Sequence, residues 1–241
     1  MRADRYLVEH GYFETRARAQ AAIEAGGVRV NGAALTKASA KIPDGAVIEA
    51  EPAHPYVSRA ALKLAAGLDS FGIDPDGLTC LDVGASTGGF TQVLLERGAA
   101  FVAAVDVGRD QLHDSLRAEP RVLSLEATDA RMLTLDQIGG RPPDLVVCDA
   151  SFISLEKVLA RPLALTAPGA RLIALFKPQF EVGRAHVGKG GLVKDAEAVE
   201  RAEENARAFL ARAGFKVQGS IESPITGGDG NRERLIFAVK A

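Results

Sequence analysis

Apolar and polar positions along the chain change their pattern near Glu51-Pro52-Ala53-His54-Pro55. Two prolines within four residues fix φ and block helix, which predicts a short semi-rigid linker over 52–57. Before it lie two short helical patterns, about residues 2–11 and 14–25, the second stopped by Gly26-Gly27. Val28-Arg29-Val30 then reads as a strand running into an Asn31-Gly32 turn. Pro43-Asp44-Gly45 is another turn, followed by a strand at Ala46-Val47-Ile48-Glu49. Residues 1–51 therefore predict a small N-terminal α+β module.

After the linker, strand-like and helix-like runs alternate. The strands are predicted at Leu78–Val83, Phe101–Val105, Val122–Leu125, Leu145–Cys148, Leu172–Phe176, Lys216–Ile221 and Leu235–Val239. Helices are predicted at about 58–71, 89–97, 110–117, 153–165 and 195–213. This order predicts an α/β fold over 58–241: a Rossmann-like, seven-stranded, mostly parallel sheet with helices on both faces. The early strands are short and apolar without alternation, as expected of strands covered on both sides. The last two follow the final helix with only a loop between them, which suits an antiparallel pair at one edge of the sheet.

Composition narrows the function classes. Of 241 residues, 47% are apolar and 25% charged, the balance of a soluble globular protein. No apolar run approaches the roughly 18–20 residues that span a bilayer. The start, Met1-Arg2-Ala3-Asp4-Arg5, lacks the apolar core of a signal peptide, so a cytoplasmic protein is expected. Cys80 and Cys148 lie in apolar strands and read as small buried hydrophobes, neither a disulfide framework nor a zinc site. Tryptophan is absent and aromatics are 5%, which argues against an aromatic base-stacking platform. The net charge of −2 argues against binding nucleic acid through bulk charge. Residues 1–59 carry +1 and the remainder −3, so any RNA contact must come from local clustering.

The first predicted strand runs into Leu81-Asp82-Val83-Gly84-Ala85-Ser86-Thr87-Gly88-Gly89-Phe90. Glycines at such a strand-to-helix turn let a ligand approach the backbone, and the helix start offers free N–H groups. The spacing is G-x-x-x-G-G and not the dinucleotide fingerprint G-x-G-x-x-G. The turn suits a ligand without a pyrophosphate, such as S-adenosylmethionine. Asp106 ends the second strand, 22 residues beyond Gly84, in the place of an acid that accepts from ribose hydroxyls. Asp129 follows the third strand, where it would meet an adenine amine, and Asp149 ends the fourth. A lone acid after a strand is commonly a helix cap. A glycine turn and three acids at four consecutive strand ends converge on one crevice, and together they point to a cofactor site.

A second group bears on chemistry. Lys177 ends the apolar run Leu172–Phe176 and faces the crevice of Asp149, with Pro178 stopping the strand. Lys63 lies on the helix that begins at Ser58, and Glu233 opens the last strand. Such a set suits activation of a weakly acidic alcohol, because a ribose hydroxyl attacking an S-methyl group needs alignment and a proton acceptor. A lysine accepts that proton if burial or a second cation lowers its pKa. Lys63 is placed to be that cation, and Asp149 acts in the opposite sense.

These residues resemble known families. Asp82-Val83-Gly84-Ala85-Ser86-Thr87-Gly88-Gly89-Phe90-Thr91-Gln92 resembles the cofactor motif of FtsJ-like ribose 2′-O-methyltransferases, and Lys63, Asp149, Lys177 and Glu233 follow the order of their Lys-Asp-Lys-Glu tetrad. Val57-Ser58-Arg59, Asp149-Ala150-Ser151-Phe152-Ile153-Ser154, Lys177-Pro178-Gln179-Phe180-Glu181, Val187-Gly188-Lys189-Gly190-Gly191 and Gly230-Asn231-Arg232-Glu233 resemble the TlyA (haemolysin A) family more closely. The first fifty residues resemble the S-four-type RNA-binding domain. The resemblance covers nearly the whole chain. It implies a class I methyltransferase domain that carries a methyl group from S-adenosylmethionine to the 2′-oxygen of a cytidine in ribosomal RNA. It implies Lys177 as the main hydroxyl-activating group, Asp149 as its orienting partner, and Lys63 and Glu233 as holders of the target ribose. Members acting on both subunits carry extra residues at both ends, so the large subunit is the expected substrate. No catalytic metal is implied, and His186 has no obvious metal partner.

RNA contacts are expected mainly from the small module, where Arg2, Arg5, Arg16 and Arg18 sit on the two helices and Lys37 and Lys41 on the segment after them. Arg16 and Arg18 are two apart and do not share a helical face, so at most one is expected to touch RNA. Arg59, Arg184 and Lys189 are further expected contacts. The loop 183–191 is expected to be flexible and to close over the target nucleotide, which must leave its stack to be reached. Three other readings compete: a non-enzymatic ribosome-assembly factor, a cytolysin and a nicotinamide-dependent oxidoreductase. The complete tetrad opposes the first. The lack of a spanning or strongly amphipathic segment opposes the second, and the missing dinucleotide fingerprint the third.

Overall fold

The computed structural model describes all 241 residues, which fall into two compact units, Met1–Pro55 and Tyr56–Ala241. In the small unit, α1 (Ala3–Glu9) and α2 (Arg16–Glu24) precede β1 (Val28–Val30), β2 (Ala33–Ala34) and β3 (Ile48–Ala50). Thr15 starts α2 by accepting a hydrogen bond from Arg18 N–H. The three strands form an antiparallel sheet in the order β2-β1-β3. Leu7, Ile23 and Val28 are fully or nearly buried at its core. β2 lies outside the expectation because two alanines carry no strand signal. It forms because Asn31 (φ 52°) and Gly32 (φ 78°) make a tight left-handed turn that folds the chain back on β1.

In the larger unit, α3 (Ala60–Phe71) leads into β4 (Thr79–Val83), α4 (Gly89–Glu96), β5 (Phe101–Val105), α5 (Asp114–Arg117) and β6 (Val122–Leu125). Then follow β7 (Leu145–Cys148), α6 (Leu155–Ala164), β8 (Arg171–Phe176), α7 (Pro178–Glu181), α8 (Ala196–Arg212), β9 (Phe215–Glu222) and β10 (Arg234–Lys240). The seven strands lie in the order β6-β5-β4-β7-β8-β10-β9. The first five are parallel, and β10 runs antiparallel to both β8 and β9. The expected sheet and its antiparallel edge are thus observed. One face is covered by α3, α4 and α5 through Leu64, Leu68, Phe90, Val93, Leu94 and Leu116. The other is covered by α6 and α8 through Val158, Leu159, Leu163, Ala206, Phe209 and Leu210. Covering both faces accounts for the unbroken apolar runs of β7 and β8. Strand order reverses between β4 and β7, and in such sheets the carboxyl-end crevice at the reversal is where ligands sit.

The expected helix over 110–117 forms only from Asp114. Asp110 is left-handed (φ 53°), which breaks the helical backbone where the longer helix would have begun, and the Glu126 carboxylate accepts from the backbone N–H groups of Gln111 and Leu112. No helix is long and apolar enough to cross a membrane.

Candidate active site

At the end of β4 the chain turns through Gly84 (φ 84°) and Ser86 (φ 47°) and enters α4 through Gly88 (φ 98°). Gly84 is required by space as well as by torsion. A Cβ there would lie 2.8 Å from Ala150 Cα and 2.9 Å from Ala150 N, against the segment that leaves β7. The N–H groups of Gly84 and Ala85 both donate to Val105 O, at 2.8 and 3.1 Å. Asp106 then accepts from Ser86 N–H at 2.8 Å with one carboxylate oxygen and from Gly108 N–H at 2.7 Å with the other. This acid therefore holds the glycine turn open while it lines the cavity above it.

That cavity measures about 520 Å³ and is walled by Gly84, Ser86, Asp106, Asp129, Asp149 and Phe152, among others. Its volume falls within the range of small-molecule sites. A second cavity of about 170 Å³ adjoins it through Gly84, Ser86, Asp149 and Ser151, and is completed by Ala85, Thr87, Gly89, Phe90 and Lys177. The expected cofactor residues thus wall two adjoining spaces, apart from Asp82 and Gly88, which take supporting positions. Asp82 is fully buried and its Oδ2 accepts from Thr91 Oγ1 at 2.7 Å. Burial pushes its carboxyl up to about 7, against the Thr91 bond and with a further push from Asp149 and Asp106. Gly88 faces Leu112 and Leu116, where a Cβ would collide. Asp129 lines the cavity and also caps the following turn, accepting from Arg131 N–H at 2.9 Å. Its pairing with the Arg131 side chain holds its carboxyl below the usual range.

The four expected catalytic residues are joined as two ion pairs. Lys177, at the end of β8, is 7% exposed, and its Nζ lies 2.6 Å from Asp149 Oδ1. The same nitrogen donates to Ser151 Oγ at 2.8 Å and to Asp149 O at 3.1 Å. Lys63, on α3, meets Glu233 Oε2 at 2.5 Å, both side chains being buried. Arg234 of β10 pairs with Phe176 of β8, so one further step in that register sets Glu233 opposite Lys177. The Lys63 charge, expected to act on Lys177, is matched by its own carboxylate.

Two residues without an assigned role in the sequence stand at this site. Ser151 supplies one of the two hydrogen-bond acceptors of Lys177. Phe152 is 90% exposed and has a left-handed backbone (φ 65°), a costly combination for a large apolar residue. Its ring borders the 520 Å³ cavity and lies 5.1 Å from that of Phe180. The aromatic-poor composition argues against a stacking platform, yet the fold presents one aromatic face to solvent here. The only signal for these two was their place directly after the β7 acid.

The loop 183–191 contains local structure. It forms two short 3-10 turns, with Val187 bridged to Val193. Asn231, itself buried, donates to Gly191 O at 2.8 Å and accepts from Val193 N–H at 2.9 Å, and His186 pairs with Asp195. Arg184 and Lys189 are exposed on it, and Arg59 is exposed ahead of α3. In the small unit Lys37 and Lys41 are exposed, whereas all four expected arginines are in ion pairs. Arg2 and Arg16 pair with Asp4, Arg5 with Glu9, and Arg18 with Glu14.

Residues 56–240 match the family of FtsJ-like methyltransferases, and residues 1–48 match the S4 domain. The chain is 43% identical over 238 residues to the 16S/23S rRNA (cytidine-2′-O)-methyltransferase TlyA of Mycobacterium tuberculosis, covering 98% of this chain and 88% of that one. It is 41% identical to the 23S rRNA (cytidine-2′-O)-methyltransferase TlyA of Campylobacter jejuni, over 77% of this chain and 71% of the relative. A solved structure described provisionally as a hemolysin, from Streptococcus thermophilus, superposes with a TM-score of 0.79 at 38% identity, over 100% of this chain and 88% of that one.

Proposed function

Because this chain belongs to the TlyA/haemolysin A family, which joins an S4 domain to an FtsJ-like methyltransferase domain, we propose that it is an rRNA (cytidine-2′-O)-methyltransferase using S-adenosylmethionine. The observation that carries this reading is Lys177, anchored by Asp149 on the wall shared with the glycine-turn cavity. Bound there, S-adenosylmethionine supplies an electrophilic methyl group on a sulfonium sulfur. The turn from Gly84 to Phe90 holds the methionine part, Asp106 takes the ribose hydroxyls, and Asp129 meets the adenine. Each Asp106 oxygen accepts one backbone bond and retains capacity for a second.

Lys177 Nζ donates to Asp149 O and Ser151 Oγ and lies against the Asp149 Oδ1 charge, an oxygen without a hydrogen-bond partner of its own. An ammonium there donates to both oxygens and has nothing with which to accept a proton. A neutral amine held by the two turns its lone pair to the cytidine 2′-hydroxyl. It would take the hydroxyl proton as the oxygen bonds to the methyl carbon and the carbon–sulfur bond breaks, with S-adenosylhomocysteine as the leaving group. Lys63 of α3 and Glu233, just ahead of β10, hold the target ribose, so the oxygen is aligned before it reacts. The exposed face of Phe152 receives the unstacked base, a contact that tolerates a purely apolar partner. The small unit positions the RNA by its phosphates.

Both named relatives act on 23S rRNA, so the large subunit is the first substrate to test. The experiment is transfer of a labelled methyl group from S-adenosylmethionine to small subunits, large subunits and naked rRNA. Label on a cytidine 2′-oxygen, lost with Lys177→Ala while cofactor binding survives, supports the proposal. Cofactor binding without transfer to any of the three substrates refutes the rRNA target, and no cofactor binding refutes the enzyme.

A further inference from the structure

The small unit sorts its four arginines into two kinds. Arg5 and Arg18 each face one exposed acid four residues away, Glu9 at 2.6 Å and Glu14 at 3.6 Å, so each pair is neutral. Arg2 and Arg16 instead share a single carboxylate, that of Asp4, which is fully buried. Asp4 Oδ1 accepts from Arg2 Nε and from Arg5 N–H, both at 3.0 Å. Asp4 Oδ2 accepts from Arg2 Nη2 at 3.1 Å, Arg16 Nη2 at 2.7 Å and Gln20 Nε2 at 2.8 Å. Five donors fill a carboxylate, whose capacity is about four lone-pair positions. The hydrogen bonds from Arg2 and then Arg16 hold its carboxyl far below the usual range, so it is ionised at any working pH.

Two cations on one anion leave a surplus positive charge, and that surplus is at the surface. The Arg2 and Arg16 side chains are 52% and 57% exposed. A guanidinium carries five N–H donors, of which Arg2 commits two to Asp4 and Arg16 one. Both Nη2 atoms touch the same oxygen, so the two groups are held side by side with donors to spare. Arg2 is also bridged, backbone to backbone, with Lys41, another exposed cation. The latch ties the start of α1 to the start of α2, so it sets where both guanidiniums stand before any ligand arrives.

We propose that Asp4 is a positioning residue for RNA capture, one that holds Arg2 and Arg16 as a fixed guanidinium pair for the non-bridging oxygens of one backbone phosphate. The proposal rests on the reading of this chain as an rRNA enzyme, and selects two arginines of the four for the contact. Ordering of two long side chains then occurs on folding and not on binding. Bidentate geometry suits phosphate, and a pre-set pair suits it better than two free arginines. The consequence is counter-intuitive in sign: a buried negative charge strengthens binding to a polyanion.

The test uses the full chain with unmodified large subunits over a range of salt. Asp4→Asn raises the net charge by one, so if Arg2 and Arg16 acted as independent charges it would tighten binding. The proposal requires about tenfold weaker binding and a log–log salt slope smaller by about one. The KM for subunits rises in step while kcat is unchanged, and the Arg2 Nε–H signal in nitrogen-15 NMR loses its protection from exchange. Arg2→Gln and Arg16→Gln weaken binding alike. Gln20→Leu, which removes one donor without changing charge, weakens it in the same direction and decides the matter if Asp4→Asn fails to fold. Equal or tighter binding by Asp4→Asn, or by Gln20→Leu in that case, overturns the proposal while losses in the two arginine variants leave the RNA reading standing. No loss in the arginine variants overturns both the proposal and the phosphate role of this face. Failure of the unaltered chain to methylate any subunit is the separate failure of the enzyme reading.

Discussion

Asp82 makes a quantitative test of how the cofactor turn is supported. It is fully buried beneath the turn, with one oxygen bonded to Thr91 and the other, Oδ1, without a partner. Burial raises its carboxyl from an ordinary 3.8 to about 7. In the unfolded chain the same group titrates near 3.9. Between those two values the folded chain holds a proton that the unfolded chain has released. The stabilisation from this group is therefore complete below the lower pKa and lost as pH rises through the upper one. One pKa unit corresponds to about 1.4 kcal/mol, so a shift of about three units amounts to something on the order of 4 kcal/mol in all. Asp82→Asn keeps the shape of the neutral acid and cannot ionise. The expected outcome is that the native chain loses stability relative to Asp82→Asn by about 1.4 kcal/mol per pH unit between roughly pH 5 and 7, levelling off above about 8. Urea unfolding of both full-length proteins, followed by far-ultraviolet circular dichroism across that range, measures the difference. Glu181, which burial also raises to about 7, is common to both proteins and cancels. A difference that stays flat with pH, or a native chain that gains stability relative to Asp82→Asn as pH rises, would refute the reasoning, since it would mean that Asp82 is ionised in the folded chain.

Three further outcomes follow from the geometry. Gly84→Ala puts a methyl group within 2.8 Å of Ala150 in a left-handed backbone, so the segment carrying Asp149 must move; isothermal titration should show S-adenosylmethionine binding weakened at least about tenfold. Phe152→Ala removes an exposed ring and so should leave the thermal midpoint within about a degree, while weakening binding to subunits by about 1–3 kcal/mol in a filter assay; unchanged binding would remove the ring from the RNA site. Lys63→Met leaves the Glu233 carboxylate buried without its cation and should cost about 3–5 kcal/mol in urea unfolding. Lys63→Met with Glu233→Gln should recover most of that stability but none of the methyl transfer, and recovery of activity would assign the pair a structural role only.

The parts of this protein legible in its residues are those set by local torsion and period. The strands Phe101–Val105, Val122–Leu125 and Leu145–Cys148 stand where their apolar runs predict them, because a strand covered on both faces needs no alternation. The glycine turn between Val83 and Phe90 was readable because left-handed torsions and close backbone approach both demand glycine. The acids at the strand ends were readable because chain order puts each at a carboxyl edge. Where the structure departs from the local reading, the backbone torsion of one residue is the reason. Asp110 is left-handed, so α5 begins only at Asp114 and not at residue 110.

The partnerships are of the other kind. Lys63 and Glu233 lie 170 residues apart, and they meet because β10 inserts antiparallel beside β8 in a register that sets Glu233 opposite Lys177. Asp4 carries no assigned role in the sequence, and its partners Arg16 and Gln20 reach it only when α2 packs onto α1. Phe152 carries no assigned role in the sequence, and only the left-handed turn after Asp149 carries its ring out into solvent. Periodicity and torsional preference act over a few residues, so they are written in the chain itself. Which charge meets which, and which apolar face stays uncovered, depends on strand order and register, and these are settled only when the whole sheet has assembled.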